Sequence, residues 1–148
     1  MHARERRVRL LFVILAHERP AHAAELARTL TAAATDGHAV VHFDAGASAA
    51  DADALAGRLD AIPRARLVTA PIRCRWGDYS LVEAPLRALA EARDAGIAFD
   101  YAVLLSGSCL PCRPLRQLER FLAAHRGREF IQAEDESWVL DGLRTERW

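Results

Sequence analysis

The stretch Val8 to Leu15, V-R-L-L-F-V-I-L, is apolar at every position but Arg9 and rich in β-branched and aromatic residues. A strand with one wet face alternates apolar and polar side chains, whereas a run without alternation is covered on both faces. This stretch therefore predicts a central strand of a parallel sheet flanked by helices, and it disfavours an open antiparallel sheet. The basic residues before it give it some likeness to a secretory leader. The run is at the lower length limit for one, however, and no small-x-small cleavage site precedes the charged His17-Glu18-Arg19.

The following segments repeat the alternation. Ala21 to Ala33 places Ala23, Leu26, Ala27 and Leu30 on one helical face, with Gly37 as a stop. His38 to Asp44 predicts a second strand, Ala49 to Leu59 a second helix, and Ala65 to Ala70 a short third strand. Ser80-x-x-Glu83 has the pattern of a capping box for a third helix whose buried face would be Val82, Leu86 and Leu89, with Pro85 disturbing its start and Gly96 ending it. Tyr101 to Leu105 predicts a fourth strand, Leu115, Leu118, Phe121 and Leu122 a fourth helix, and Glu129 to Ala133 a fifth strand. Strict strand and helix alternation implies an α/β, Rossmann-like three-layer αβα fold, expected as a single domain over residues 1–148.

Composition narrows the function classes. Twenty basic residues balance twenty acidic ones, so charge offers no case for nucleic acid or an anionic membrane. All twenty basic residues are arginine; without lysine there is neither a Schiff-base lysine nor a Walker-type phosphate loop. No apolar run approaches the length of a membrane span. Three cysteines, an odd number, fit reduced thiols in a cytoplasmic protein.

In an open parallel sheet, ligands gather outside the carboxyl ends of the strands. Those ends carry Ala16-His17-Glu18, Asp44-Ala45-Gly46, the Arg73-to-Asp78 segment and Ser106-Gly107-Ser108. Asp44 can accept from ribose hydroxyls or a base N–H, or it can cap the next turn. His17 can touch a base or ribose, or end its strand as a satisfied side chain. Trp76 beside Gly77 offers an aromatic face to a ligand, or packs in the core.

The segments V-I-L-A-H-E-R-P, V-V-H-F-D-A-G, R-C-R-W-G-D-Y-S-L-V-E-A-P-L, L-L-S-G-S and E-F-I-Q occur in an order that resembles the core-2/I-branching β-1,6-N-acetylglucosaminyltransferases, glycosyltransferase family 14, which includes the peptide O-xylosyltransferases. The bacterial branch is the most similar. The resemblance spans Val8 to Trp148 and corresponds to the amino-terminal half of that family's catalytic domain. It implies a variant of the GT-A nucleotide-sugar fold and an inverting transfer from a UDP-sugar to a glycan acceptor, without metal or other cofactor. The donor sugar implied is N-acetylglucosamine. It also implies that Ala16, His17 and Glu18 lie against the donor nucleotide, that Asp44 with Ala45 and Gly46 binds uridine, and that Trp76 lines the same pocket.

By the same resemblance, Ser106 and Gly107 stand where other GT-A enzymes carry the Asp-x-Asp that holds a divalent ion. The Ser106–Ser108 loop has no hard-cation ligand, and a small, φ-permissive turn would let the diphosphate lie against backbone amides. Asp51-Ala52-Asp53 falls inside the second helix and reads as helix N-terminal charge. Inverting transfer needs an aligned acceptor hydroxyl, a carboxylate base and positive charge on the leaving diphosphate. The resemblance places the base and the compensating basic groups beyond Trp148, so little turnover is expected from these 148 residues alone. Glu134, with Asp135 and Glu136, is the acceptor-side candidate, or a solvated loop.

Two other functions remain open on the sequence. One is a non-catalytic nucleotide-binding remnant. The other is a thiol oxidoreductase using Cys109-x-x-Cys112, which lies between a strand and a helix but lacks a preceding aromatic residue.

Overall fold

The computed structural model describes residues 7–131. Its elements are β1 (Leu10–Ala16), α1 (Pro20–Ala33), β2 (Gly37–Phe43), α2 (Ala49–Leu59), β3 (Ala65–Leu67), α3 (Ser80–Asp94), β4 (Tyr101–Ser106) and α4 (Leu115–Ala124). The four strands are all parallel, in the order β3-β2-β1-β4. As the unalternating run predicts, β1 is interior, pairing from Leu10 with Gly37 on one side and with Tyr101 on the other.

Alternation of side chains sends β1 into two cores. Leu10, Phe12 and Ile14 join Ala39, Val41 and Phe43 of β2 beneath α1, α2 and α4. Leu11 and Val13 join Val40 on the opposite face, against Ala88 and Ala92 of α3. The fold is thus a three-layer α/β arrangement of Rossmann-like form. Leu10 through Ile14 are each at most 2% exposed, and full burial of such a side chain contributes about 1.5–3 kcal/mol.

Three expectations need correction. The third helix does not bury Val82 and Leu86, which are exposed; it buries Ser80, Ala84, Ala88 and Ala92, four residues apart. Small side chains let the helix axis approach the sheet closely, and the larger ones are left outside. Its capping box is not formed either. Ser80 lies within the helix, its amide donates to Asp78 Oδ1 at 2.8 Å, and Glu83 turns to Arg87 at 3.0 Å. Asp78, two residues upstream, takes the role assigned to Ser80. Finally, residues 129–131 are not in a strand: the Phe130 ring packs at 5.0 Å from Phe121 and 6.5 Å from Tyr101. The remainder of that expected strand, Gln132 and Ala133, lies outside the described residues, as do Glu134, Asp135 and Glu136.

Elsewhere α2 has the expected bounds, and the other boundaries agree within three residues. Gly37, expected as a helix stop, opens β2, and β3 ends at Leu67, although the Val68 amide still donates to the Val41 carbonyl at 2.9 Å. Among the described residues no helix is long and apolar enough to cross a membrane.

Candidate functional site

The carboxyl ends of β1 and β2 and the segment after β3 enclose an open cleft of about 670 Å³. Ala16 and His17 line it from β1, His42, Asp44 and Gly46 from β2 and its turn, and Arg73 to Trp76 from the connection into α3. Residues separated by up to 60 positions along the chain are gathered because parallel strands deliver all their carboxyl ends to one rim.

Asp44 organises the rim. Its amide extends the β1–β2 ladder by donating to the Ala16 carbonyl at 2.8 Å. Its carboxylate accepts the Gly46 amide through Oδ1 and the Cys74 amide, 2.8 Å away, through Oδ2. The first contact is the turn-capping use weighed for this residue; the second lashes the long β3–α3 connection to the end of β2. Burial opposes ionisation of Asp44, yet the amides of Gly46 and Cys74 together hold its carboxyl below the usual carboxylate range. A carboxylate has room for about four donors, so a ligand N–H or O–H can still be accepted.

The same connection is pinned at further points. The Ile72 amide donates to Nε2 of the buried His42 at 3.0 Å, the Ala45 amide to the Ile72 carbonyl at 3.1 Å, and the Arg75 amide to Ser80 Oγ at 2.9 Å. Burial pushes the Cys74 thiol up to about 11, helped by the neighbouring Asp44 charge, so it stays protonated and is no nucleophile at neutral pH. Trp76 is 88% exposed at the edge of the cleft. It is not core packing.

Of the expected site residues, the cleft brings together Ala16, His17, Asp44, Gly46 and Trp76. Glu18 is exposed and 3.6 Å from Arg19, and Ala45 faces outward; neither lines the cleft. Ser106 and Gly107 sit at the end of β4 outside the cleft lining and adjoin it through Leu15 and Ala16, Gly107 being pressed against Ala16. Gly107 does not have a positive φ. Its amide is spent on the Leu15 carbonyl at 2.6 Å, and that of Ser108 on Ser106 Oγ at 3.3 Å. The loop therefore needs glycine for close approach rather than for a left-handed turn. Asp51 takes part in capping α2, exchanging hydrogen bonds with Ser48. Cys109 packs against the larger core, Cys112 is exposed, and both are free thiols.

Sequence reasoning passed over His42, and it placed the Arg73-to-Asp78 segment on the rim without giving Arg73 or Arg75 a role. The signal available for the arginines was their i, i+2 spacing in a segment without helical periodicity; a histidine inside an apolar strand was the signal for His42.

His42 makes stability pH-dependent. Burial, only partly opposed by Asp44, lowers its pKa from 6.5, so the unfolded chain takes up a proton before the folded one does. Stability then falls as pH drops below about 6.5. Asp44, with its depressed pKa, contributes stability above about 3.8 that is lost only on further acidification through its folded value. Melting temperature measured from pH 8 to 3 is expected to decline in two stages. A His42→Gln variant, whose amide oxygen can still accept from Ile72, is expected to lose the upper stage alone.

No curated protein matches the chain. The model of the Core-2/I-Branching enzyme family matches residues 10–147, which takes in the whole cleft and nearly the whole chain. The protein belongs to the Core-2/I-branching enzyme family, a family of glycosyltransferases.

Proposed function

We propose that the cleft holds the uridine diphosphate of a UDP-sugar, and that this chain forms the donor-binding half of an inverting, metal-independent transferase moving N-acetylglucosamine to a glycan hydroxyl. The observation that carries this reading is the convergence of Ala16, His17, Asp44, Gly46 and Trp76 on one cleft of the strand-end rim. Asp44 offers an ionised acceptor for a base N–H or ribose hydroxyls, and Trp76 an exposed aromatic face on which a base can stack. We assign residues 1–148 to one domain of a bacterial-type enzyme. The three free thiols fit a reducing cytoplasm. Glu134 remains the acceptor-side candidate, and the base that removes the acceptor proton is a group outside this cleft.

Calorimetry with UDP, UDP-N-acetylglucosamine and UDP-xylose, in chelator and in manganese, tests the proposal. UDP is expected to bind with the same affinity in both buffers, and UDP-N-acetylglucosamine more tightly than UDP-xylose. Trp76→Ala should weaken UDP binding roughly tenfold, since stacking of a base on an aromatic side chain is worth about 1–3 kcal/mol. Absence of UDP binding, or binding only with manganese, contradicts it.

A further inference from the structure

A second cavity, of about 340 Å³, lies at the opposite pole of the sheet and is lined by His38, Pro63, Arg64, Ala65, Arg66 and Ile97. It shares no residue with the strand-end cleft. His38 stands near the start of β2 and Asp44 just past its end, so at about 3.3 Å per residue the two sites are roughly 20 Å apart. The sheet register builds the cavity. His38 is the register partner of Leu11, and Arg66 of Val40; Leu11 and Val40 both lie in the core under α3, so both polar side chains face that side. Arg64 joins them from the residue before β3, where its carbonyl accepts the Ala39 amide at 2.8 Å.

This lining is cationic and has donors to spare. It holds two arginines and a histidine and no acid. Glu91 of α3 neutralises Arg66 only in part. Its Oε2 accepts the Thr69 amide and hydroxyl at 3.2 and 2.9 Å, while its Oε1, 3.4 Å from Arg66 Nε, makes an ion pair without a hydrogen bond. Arg66 Nε is thus buried with no acceptor, a state that costs about 1–3 kcal/mol. Arg64 Nη2 donates to the Thr31 carbonyl. Among the described residues, the other guanidinium N–H groups of Arg64 and Arg66 and the His38 ring form no hydrogen bond. The carboxyl end of α3 approaches through Ile97, and bare carbonyls there would repel an anion. They are closed off: the amides of Ala95, Gly96 and Ile97 donate to the carbonyls of Glu91, Arg93 and Ala92 at 3.0, 2.9 and 2.9 Å.

We propose that this cavity binds a tetrahedral oxyanion, a phosphate or sulfate group either free or carried by a sugar, held by Arg64, Arg66 and the ring N–H of His38. Guanidinium stays charged and offers two parallel donors to such an anion, and imidazole has an N–H to give in either protonation state. Pro63 and Ile97 add an apolar wall against which the carbon skeleton of an ester can lie. The site is independent of the nucleotide reading.

The test is an NMR titration of the whole chain with inorganic phosphate, inorganic sulfate and glucose 6-phosphate, in the presence and absence of UDP. Phosphate and sulfate are expected to shift the amide signals of Ala65, Arg66 and Ile97 saturably in both conditions. Arg66→Gln should weaken phosphate about tenfold and His38→Ala about fivefold, the scales of a charged and a neutral hydrogen bond; Arg66→Lys should keep part of the affinity. Without the anion the Arg66→Gln protein should melt close to the wild type, because its pair with Glu91 is partly exposed. Glucose 6-phosphate binding more tightly than phosphate assigns the site to a sugar ester, and equal affinity assigns it to the free ion; both sustain the proposal. Shifts confined to the Gly46 and Cys74 amides overturn it by moving the anion to the cleft. Phosphate affinity unaltered in both Arg66→Gln and His38→Ala also overturns it, leaving an adventitious ion only. Failure of UDP to bind while the Ala65, Arg66 and Ile97 shifts persist counts against the nucleotide reading and sustains this site.

Discussion

Replacing Asp44 with alanine is expected to weaken UDP binding by about a hundredfold or more, equivalent to roughly 2.7 kcal/mol, and to lower stability at the same time. The two effects share one cause. The carboxylate ties the Gly46 turn and the Cys74 amide to the end of β2, and Arg73, Arg75 and Trp76 ride on the segment so tied. Each hydrogen bond to an ionised acceptor contributes about 1.5–3 kcal/mol, and water replaces part of that at a partly open site, so a net loss of about 2–4 kcal/mol is expected. Asp44→Asn should fall between, because a side-chain amide keeps one acceptor oxygen for one of the two N–H groups. Denaturant unfolding and calorimetry on the three proteins separate the possibilities. A variant that binds UDP weakly with undiminished stability would make Asp44 a ligand contact only. Full retention of both properties would remove Asp44 from the site altogether.

Much of this arrangement is legible in the chain itself, because it depends on local pattern. An unalternating apolar strand can only be interior, and β1 is; strands that alternate with helices must deliver their polar carboxyl ends to one rim, and Ala16, His17, Asp44 and Trp76 meet there. What escaped depends on distance between elements. Val82 and Leu86 are the larger apolar residues of α3, so a helical pattern assigns them to the core, yet the spacing of helix to sheet selects Ala84, Ala88 and Ala92 instead. Arg73 and Arg75 look like solvated charge until Asp44 holds their segment over the cleft. Ser80 and Glu83 fit a capping pattern, but the helix starts earlier, so the Glu83 amide goes to the Tyr79 carbonyl and the Ser80 amide to Asp78. For α3 and the two arginines tertiary contact decides the outcome, whereas at Ser80 the choice is made locally, two residues away.

Gly107 shows the same difference in its sharpest form, and a Gly107→Val variant is expected to be destabilised by about 2–4 kcal/mol, the sum of overpacking and a lost buried hydrogen bond. Any Cβ at this position would lie 2.6 Å from the Ala16 Cβ, 3.2 Å from its Cα and 3.3 Å from the Leu15 carbonyl oxygen. None of these atoms belongs to a flexible side chain, so the end of β4 has to lift away from the end of β1. Lifting it breaks the 2.6 Å bond from the Gly107 amide to the Leu15 carbonyl and moves Ala16, which lines the cleft. UDP affinity should therefore fall in the refolded variant even though Gly107 itself does not line the cleft. Gly57 supplies the contrast. It lies inside α2 with open space where its Cβ would be, and Gly57→Ala is expected to raise stability by about 0.5–1 kcal/mol through helix propensity and a smaller unfolded-state entropy. Thermal melts of the two variants, run beside UDP titrations, should move in opposite directions, with affinity unchanged for Gly57→Ala. A Gly107→Val protein that melts and binds like the wild type would mean that the β4 loop is not seated on β1, and the floor that Ala16 gives the cleft would have to be placed elsewhere.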